Sequence, residues 1–183
     1  MNTPTLGDKL GLPPRASPLL RKAAALGLSD AAALEALAVS RGCWHYRHPQ
    51  MAAIPSVSES LLSNEELAIA LLSASQPYSP HTIRVGAAML GAEGNDRARL
   101  AGLAHSEGCE AAVRYIAQSG RQFEPENPFW QDLLERVPCG EEPGDGIFPH
   151  PTRFVSMTGI TRAGVGRVVV WIRPRADLAT AHG

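Results

Sequence analysis

The stretch "TRFVSMTGITRAGVGRVVVWIRPR", residues 152–175, decides the reading of this chain. It is dense in β-branched and aromatic side chains and is interrupted by Gly164 and Gly166. Two such runs around a glycine-bearing gap predict a β-hairpin, with strands near 153–161 and 167–173. A lone pair of strands is marginal in water. The hairpin therefore needs a larger body to lie on, a twin molecule at its edge, or a third strand from "MAAIPSVS", residues 51–58. On the second strand, a period of two puts Arg167, Val169, Trp171, Arg173 and Arg175 on one face. Val168, Val170 and Ile172 fall on the other, which reads as the core face and leaves the arginines and the indole to solvent.

The body lies upstream and reads as helical. Ser17-Pro18, Ser79-Pro80 and Asn127-Pro128 each place a capping side chain before a proline. Proline at the first helical position costs no hydrogen bond, because the first N–H groups of a helix have no partner within it. Ser63 with Glu66 forms a capping box, and Ser29-Asp30 and Asn95-Asp96 mark further starts. Gly27, Gly91 and Gly120 follow apolar runs, and Pro77 and Pro138 stop them.

These signals predict helices over 18–26, 30–40, 64–75, 80–90, 96–105, 107–119 and 128–137. Apolar residues keep helical spacing within them, as at Ile83, Ala87 and Leu90 or Trp130, Leu133, Leu134 and Val137. Starts at 63, 79, 95 and about 106 are evenly spaced, but no residue pattern recurs with them, so a solenoid is not expected. The expected fold is mainly α: a compact irregular bundle of six to seven short helices with a C-terminal β-hairpin, α+β overall. Residues 1–16 read as a flexible N-terminal arm, 17–138 as the bundle, and 139–183 as an acidic loop plus the hairpin, packed on the bundle or on a second protomer.

Composition narrows the function classes. A chain of 183 residues with 44% hydrophobic and 19% charged residues suits one soluble globular domain. A net charge of −1 argues against a polyanion binder on global charge. Cys43, Cys109 and Cys139 form no CxxC pair, which fits reduced thiols in the cytoplasm better than a disulfide frame. The segment "MNTPTLGDKLGLPPRASP" lacks the charged and apolar regions of a leader. No window approaches the roughly 18 apolar residues of a membrane span. Arginine outnumbers lysine 15 to 2, a codon bias that points to a GC-rich bacterial genome.

Three stretches invite chemistry. "RGCWHYRHPQ", residues 41–50, offers Cys43, His45 and His48, a set that zinc accepts. Its spacing matches no two-pair zinc pattern, and a fourth ligand would have to come from Cys109, Cys139, His105 or His150. The plainer expectation is a loop anchored by Trp44 and Tyr46 with its histidines toward solvent. In "AHSEGCEAAVRY", His105 and Cys109 would share a helical face beside Glu110, unless Gly108 splits the helix and Ser106 caps the next one.

The third signal is charge. Residues 153–175 carry five arginines and no acid, and alternation would place Arg167, Trp171, Arg173 and Arg175 where phosphates and bases could be met. Residues 122–150 carry seven acids against Arg136, so the acidic loop could instead lie against the basic strand. "RLAGLAHSEGCEAAVRYIAQSG" loosely suggests helix-turn-helix, but Glu107 falls where that motif wants an apolar residue. No GxSxG, HExxH or family signature is recognised. No cofactor is expected.

The leading expectation is thus a non-enzymatic interaction or scaffold module that forms a homodimer, or binds a protein partner, through the hairpin. Nucleic-acid binding through the Arg/Trp face ranks second. A metal-dependent enzyme using Cys43, His45 and His48 ranks third.

Overall fold

The computed structural model describes residues 2–53, 55–158 and 168–179. Among them are eight α-helices: α1 (Leu6–Lys9), α2 (Pro18–Ala25), α3 (Ala31–Ser40), α4 (Asn64–Leu72), α5 (Pro80–Leu90), α6 (Arg97–Glu107), α7 (Glu110–Phe123) and α8 (Pro128–Arg136). A two-stranded antiparallel sheet follows, β1 (Val155–Thr158) with β2 (Val168–Trp171). The fold is mainly α with a C-terminal hairpin.

Local chemistry starts the helices where the sequence marks them. Ser17, Ser79 and Asn127 each accept a backbone N–H from the first turn of α2, α5 and α8, with proline at the helix start. Ser63 and Glu66 form both halves of a capping box on α4, and Asp30 and Asp96 cap α3 and α6. One start differs. Ser106 stays inside α6, where its hydroxyl donates to Gly102 O at 3.0 Å. Gly108 ends that helix in the left-handed conformation, φ 67°, and α7 begins after Cys109.

The central helix is α4, buried from Glu66 through Leu72. It packs on α5, and the two approach closely because Gly86 has no side chain: a Cβ there would lie 2.8 Å from Leu72 Cδ2. Around this pair α2, α3 and α6 lie against α4, α8 packs on α6 and α7 on α8, and α7 buries Ala112, Val113, Ile116 and Ala117 as its spacing requires.

One polar group joins three helix ends. Glu107, at the end of α6, is 1% exposed. Its carboxylate accepts from Ser17 Oγ, from Leu19 N at 3.0 Å and from Ser73 Oγ at 3.0 Å. It therefore ties the start of α2 and the end of α4 to the end of α6, where a carboxylate also complements the positive N-terminal end of the α2 dipole. A position that a helix-turn-helix would fill with an apolar residue is here a filled polar one.

The N-terminal segment is not an arm. Leu6 is buried at 2%, and Thr5 with Asp8 makes a second capping box at α1. Leu6 N donates to Gln76 O at 2.8 Å, Gly7 N to Ala74 O at 2.7 Å, and Tyr78 N to Pro4 O at 2.8 Å. Backbone pairing with 74–78 and one leucine in the core outweigh the Pro/Gly/Thr composition. The third strand is not formed either: the described residues of 51–58 are in no strand.

The hairpin is paired as Val155 with Trp171, Ser156 with Val170, Met157 with Val169 and Thr158 with Val168. Its connection, with Gly164, Gly166, Arg162 and Arg167, lies outside the described residues. Its faces are the reverse of those expected. Trp171 is 1% exposed, while Val168 and Val170 are exposed at 42% and 45%. The indole packs 4.7 Å from Trp130 and 5.6 Å from Phe154, ring centre to ring centre, and Nε1 donates to Ala87 O at 3.3 Å. Two glycines make the room. A Cβ on Gly120 would lie 2.2 Å from Trp130 Cδ2, and one on Gly91 would lie 2.7 Å from Trp171 Nε1. One indole with a prepared notch buries more area than two valines, so the strand turns its tryptophan inward. Ile172, just past β2, is buried as expected at 7%.

Trp130 has nowhere to move, so Gly120→Ala overpacks this junction. It is expected to cost about 1–3 kcal/mol, read as a lower thermal midpoint by circular dichroism. An unchanged midpoint would show that the indole stack is looser than described.

Candidate interaction surface

The stretch 41–50 fastens the segment after β2 to the helical body. Arg41 donates to Asn64 Oδ1 at 3.0 Å, Val57 O at 3.1 Å and Leu62 O at 2.7 Å, holding the loop before α4. Gly42 adopts φ 112° and lets the backbone of Arg175 press against it, where a Cβ would lie 2.3 Å from Arg175 O. Arg175 N donates to Gly42 O at 3.1 Å, and Trp44 Nε1 donates to Leu178 O. The segment after β2 thus straps across the end of α3.

Cys43 is buried, with Sγ 3.5 Å from Met89 Sδ. Burial pushes its thiol up to about 12, so at neutral pH it is protonated. His45 and His48 are exposed and do not join it. Among the described residues no three His, Cys, Asp or Glu side chains gather around a possible metal position.

What gathers instead is a polar group around Tyr46, which sequence spacing gave no means of finding. His45 and His81 lie edge-on to its ring at 5.1 and 5.7 Å, and Arg84 sits 5.5 Å from the ring centre. Glu35 accepts from Thr82 Oγ1 at 2.6 Å, and its other oxygen is 3.7 Å from His81 Nε2. Burial pushes the Tyr46 phenol up to about 12, and burial together with Arg84 holds His45 below the usual histidine value.

The second stretch separates its members. His105 is exposed and pairs with Glu110 at 2.8 Å, while Cys109 is fully buried and burial pushes its thiol upward. Cys139 is exposed, and all three cysteines are unpaired. It lines a cleft of about 350 Å³ between α7 and the loop 138–148, with Glu110, Arg114, Tyr115, Phe148 and the acids Glu141, Glu142 and Asp145.

The arginines of the third stretch have separate fates. The Arg173 guanidinium grips Glu124 with two bonds of 2.8 Å, and its Nε donates to Gly91 O at 3.0 Å. An acid of the 122–150 segment thus does meet the basic strand, although it comes from the end of α7 rather than from the loop. Arg175 pairs with Asp177 at 2.7 Å in an exposed contact. With Trp171 inside, no aromatic stacking platform faces solvent from this strand.

The free face of the hairpin is apolar. Val168 and Val170 project from one side of the sheet, and Met157 at 48% is exposed on the other. Among the described residues the sheet has only two strands, so each has one edge without a strand neighbour. No helix of the described residues is long and apolar enough to cross a membrane. Comparison with protein-family models, with curated proteins and with solved structures gives no match to this chain.

Glu124 makes hairpin docking sensitive to acid. Burial alone would raise its carboxyl, but the hydrogen bonds from Arg173 and Trp130 outweigh that and hold it below the ordinary glutamate value of 4.5. A lowered folded-state value means the folded protein binds fewer protons, so this stability is present above 4.5 and is lost as pH falls through the folded value. Glu124→Gln is expected to lower stability at neutral pH and to flatten the acid limb of a denaturation curve taken between pH 3 and 7, a window of about this span. An acid limb identical to wild type would contradict the role given to this pair.

Proposed function

We propose that the protein is a non-enzymatic interaction module that self-associates through its C-terminal hairpin, in the bacterial cytoplasm. The observation that carries this reading is the apolar exposure of Val168 and Val170, at 42% and 45%, on one face of a sheet whose two strands each have an unpaired edge among the described residues. Unpaired edge strands are templates for another strand, and adjoining exposed apolar side chains favour the same outcome. An antiparallel edge is complementary to its own copy across a two-fold axis, which makes a second copy the natural occupant. The unpaired thiols support a reducing compartment. The burial of Trp171 and the pairing of Arg173 weigh against nucleic acid, and the buried Cys43 thiol weighs against a metal enzyme.

Magnitudes show what this surface has to supply. Covering each half-exposed side chain returns about 1 kcal/mol. The two valines of each copy therefore give about 4 kcal/mol, at the low end of the roughly 4–15 kcal/mol lost as two molecules become one. Backbone pairing at the edge and favourable charge have to add to it.

Size-exclusion chromatography with light scattering tests the reading. Wild type is expected to be a concentration-dependent dimer, and the double variant V168K/V170K a folded monomer, with its fold checked by circular dichroism. A wild type that stays monomeric at every soluble concentration, or a variant that still dimerises, would overturn it.

A further inference from the structure

The cleft between α7 and the loop 138–148 sets carboxylates opposite an aromatic pair. Tyr115 and Phe148 stack at 5.0 Å with 27° between their planes and form one wall. The Tyr115 hydroxyl donates to Pro149 O at 2.8 Å, which fixes the ring. Glu141, Glu142 and Asp145 stand on the facing loop, and the space between measures about 350 Å³. Among the described residues none of these three acids makes an ion pair. Arg114 also lines the cleft, where its Nη1 donates to Leu134 O at 3.2 Å and Val137 O at 2.8 Å, so one cation stands against the three acids of the loop. Carboxylates beside an aromatic face suit arginine more than lysine, because the planar guanidinium stacks on the ring while its fork meets the acids.

A complementary surface exists in the same chain. Residues 153–175 hold five arginines and no acid. Arg173 is taken by Glu124 and Arg175 by Asp177, whereas Arg153 is exposed and has no carboxylate partner among the described residues. Arg162 and Arg167 lie outside the described residues and count here by their charge alone. The cleft also adjoins the root of the hairpin: Tyr115 meets Phe154, just before β1, at 6.2 Å. Two molecules joined at their hairpins would bring the basic segment of each toward the acidic cleft of the other.

We infer that this cleft receives arginines of a second copy's hairpin, so that charge fixes the geometry of the assembly. The inference rests on the self-association proposed above and deepens it. It differs from that reading in what it asks of salt: apolar contact persists or strengthens as salt rises, whereas exposed charge pairs weaken.

Light scattering on the full chain at low and high salt, with charge-reversed variants, tests it. The wild-type dimer is expected to weaken about tenfold or more at high salt. E141R/E142R/D145R alone and R153E/R162E/R167E alone are each expected to dimerise at least about tenfold more weakly than wild type at low salt. Mixed one to one, they are expected to form a heterodimer, because each restores the opposite sign that the other lacks. A variant that had merely unfolded would not be rescued by mixing. Variants that dimerise like wild type, or a mixture that does not recover, would overturn the inference while leaving the hairpin reading intact. A wild type that is monomeric at both salts would overturn both.

Discussion

The Trp171 indole, seated beside Trp130 and Phe154 in the notch left by Gly91 and Gly120, fixes the position of the hairpin's described residues and of the segment that follows them to residue 179. Two strands alone are marginal in water, so the hairpin stands by what it buries against the helices, Trp171 above all, with Val155 and Ile172 beside it. Once the indole is in place, Arg173 falls within reach of Glu124 and Gly91, and Ile172 N pairs with Phe154 O at 3.0 Å. The chain then runs across Gly42 and Trp44 as a strap. The exposure of Val168 and Val170 has the same origin, because alternation turns them outward when Trp171 turns in. The surface assigned to self-association is thus the reverse side of the anchor.

A second constraint holds the helical body. Glu107 is buried, and its carboxylate is satisfied by two hydroxyls and one backbone N–H. Each of those donors would be stranded without it, and an unsatisfied buried donor costs about 1–3 kcal/mol. The ends of α2, α4 and α6 are therefore located by polar bonds as well as by packing, and α7, which follows directly, carries Glu124 at its far end. The two constraints meet in the hairpin clamp.

Helix starts were legible because their cause is local. Ser17, Ser63, Ser79 and Asn127 cap through bonds spanning two or three residues, and proline at the first turn acts on its own backbone. Strand identity was legible for the same reason. The facing of the strand was not, because Gly91 and Gly120 lie 80 and 51 residues before Trp171, and only the folded chain shows that they open a slot for an indole. The N-terminal segment was misread from composition, although Thr5 and Asp8 carry a local capping signal. In 41–50, residue types suggested ligands, yet the roles of Gly42, Cys43 and Trp44 are set by Arg175, Met89 and Leu178, which no spacing reveals.

Native-state hydrogen exchange at the Trp171 indole N–H tests the anchor most directly. If the indole is locked against Trp130 and bonded to Ala87 O, it exchanges only when the whole domain unfolds, with the protection of core amides such as Leu71 in α4. Exchange of that indole far ahead of the α4 amides would mean that the hairpin detaches while the helices stay folded, and the account of the tail would fail.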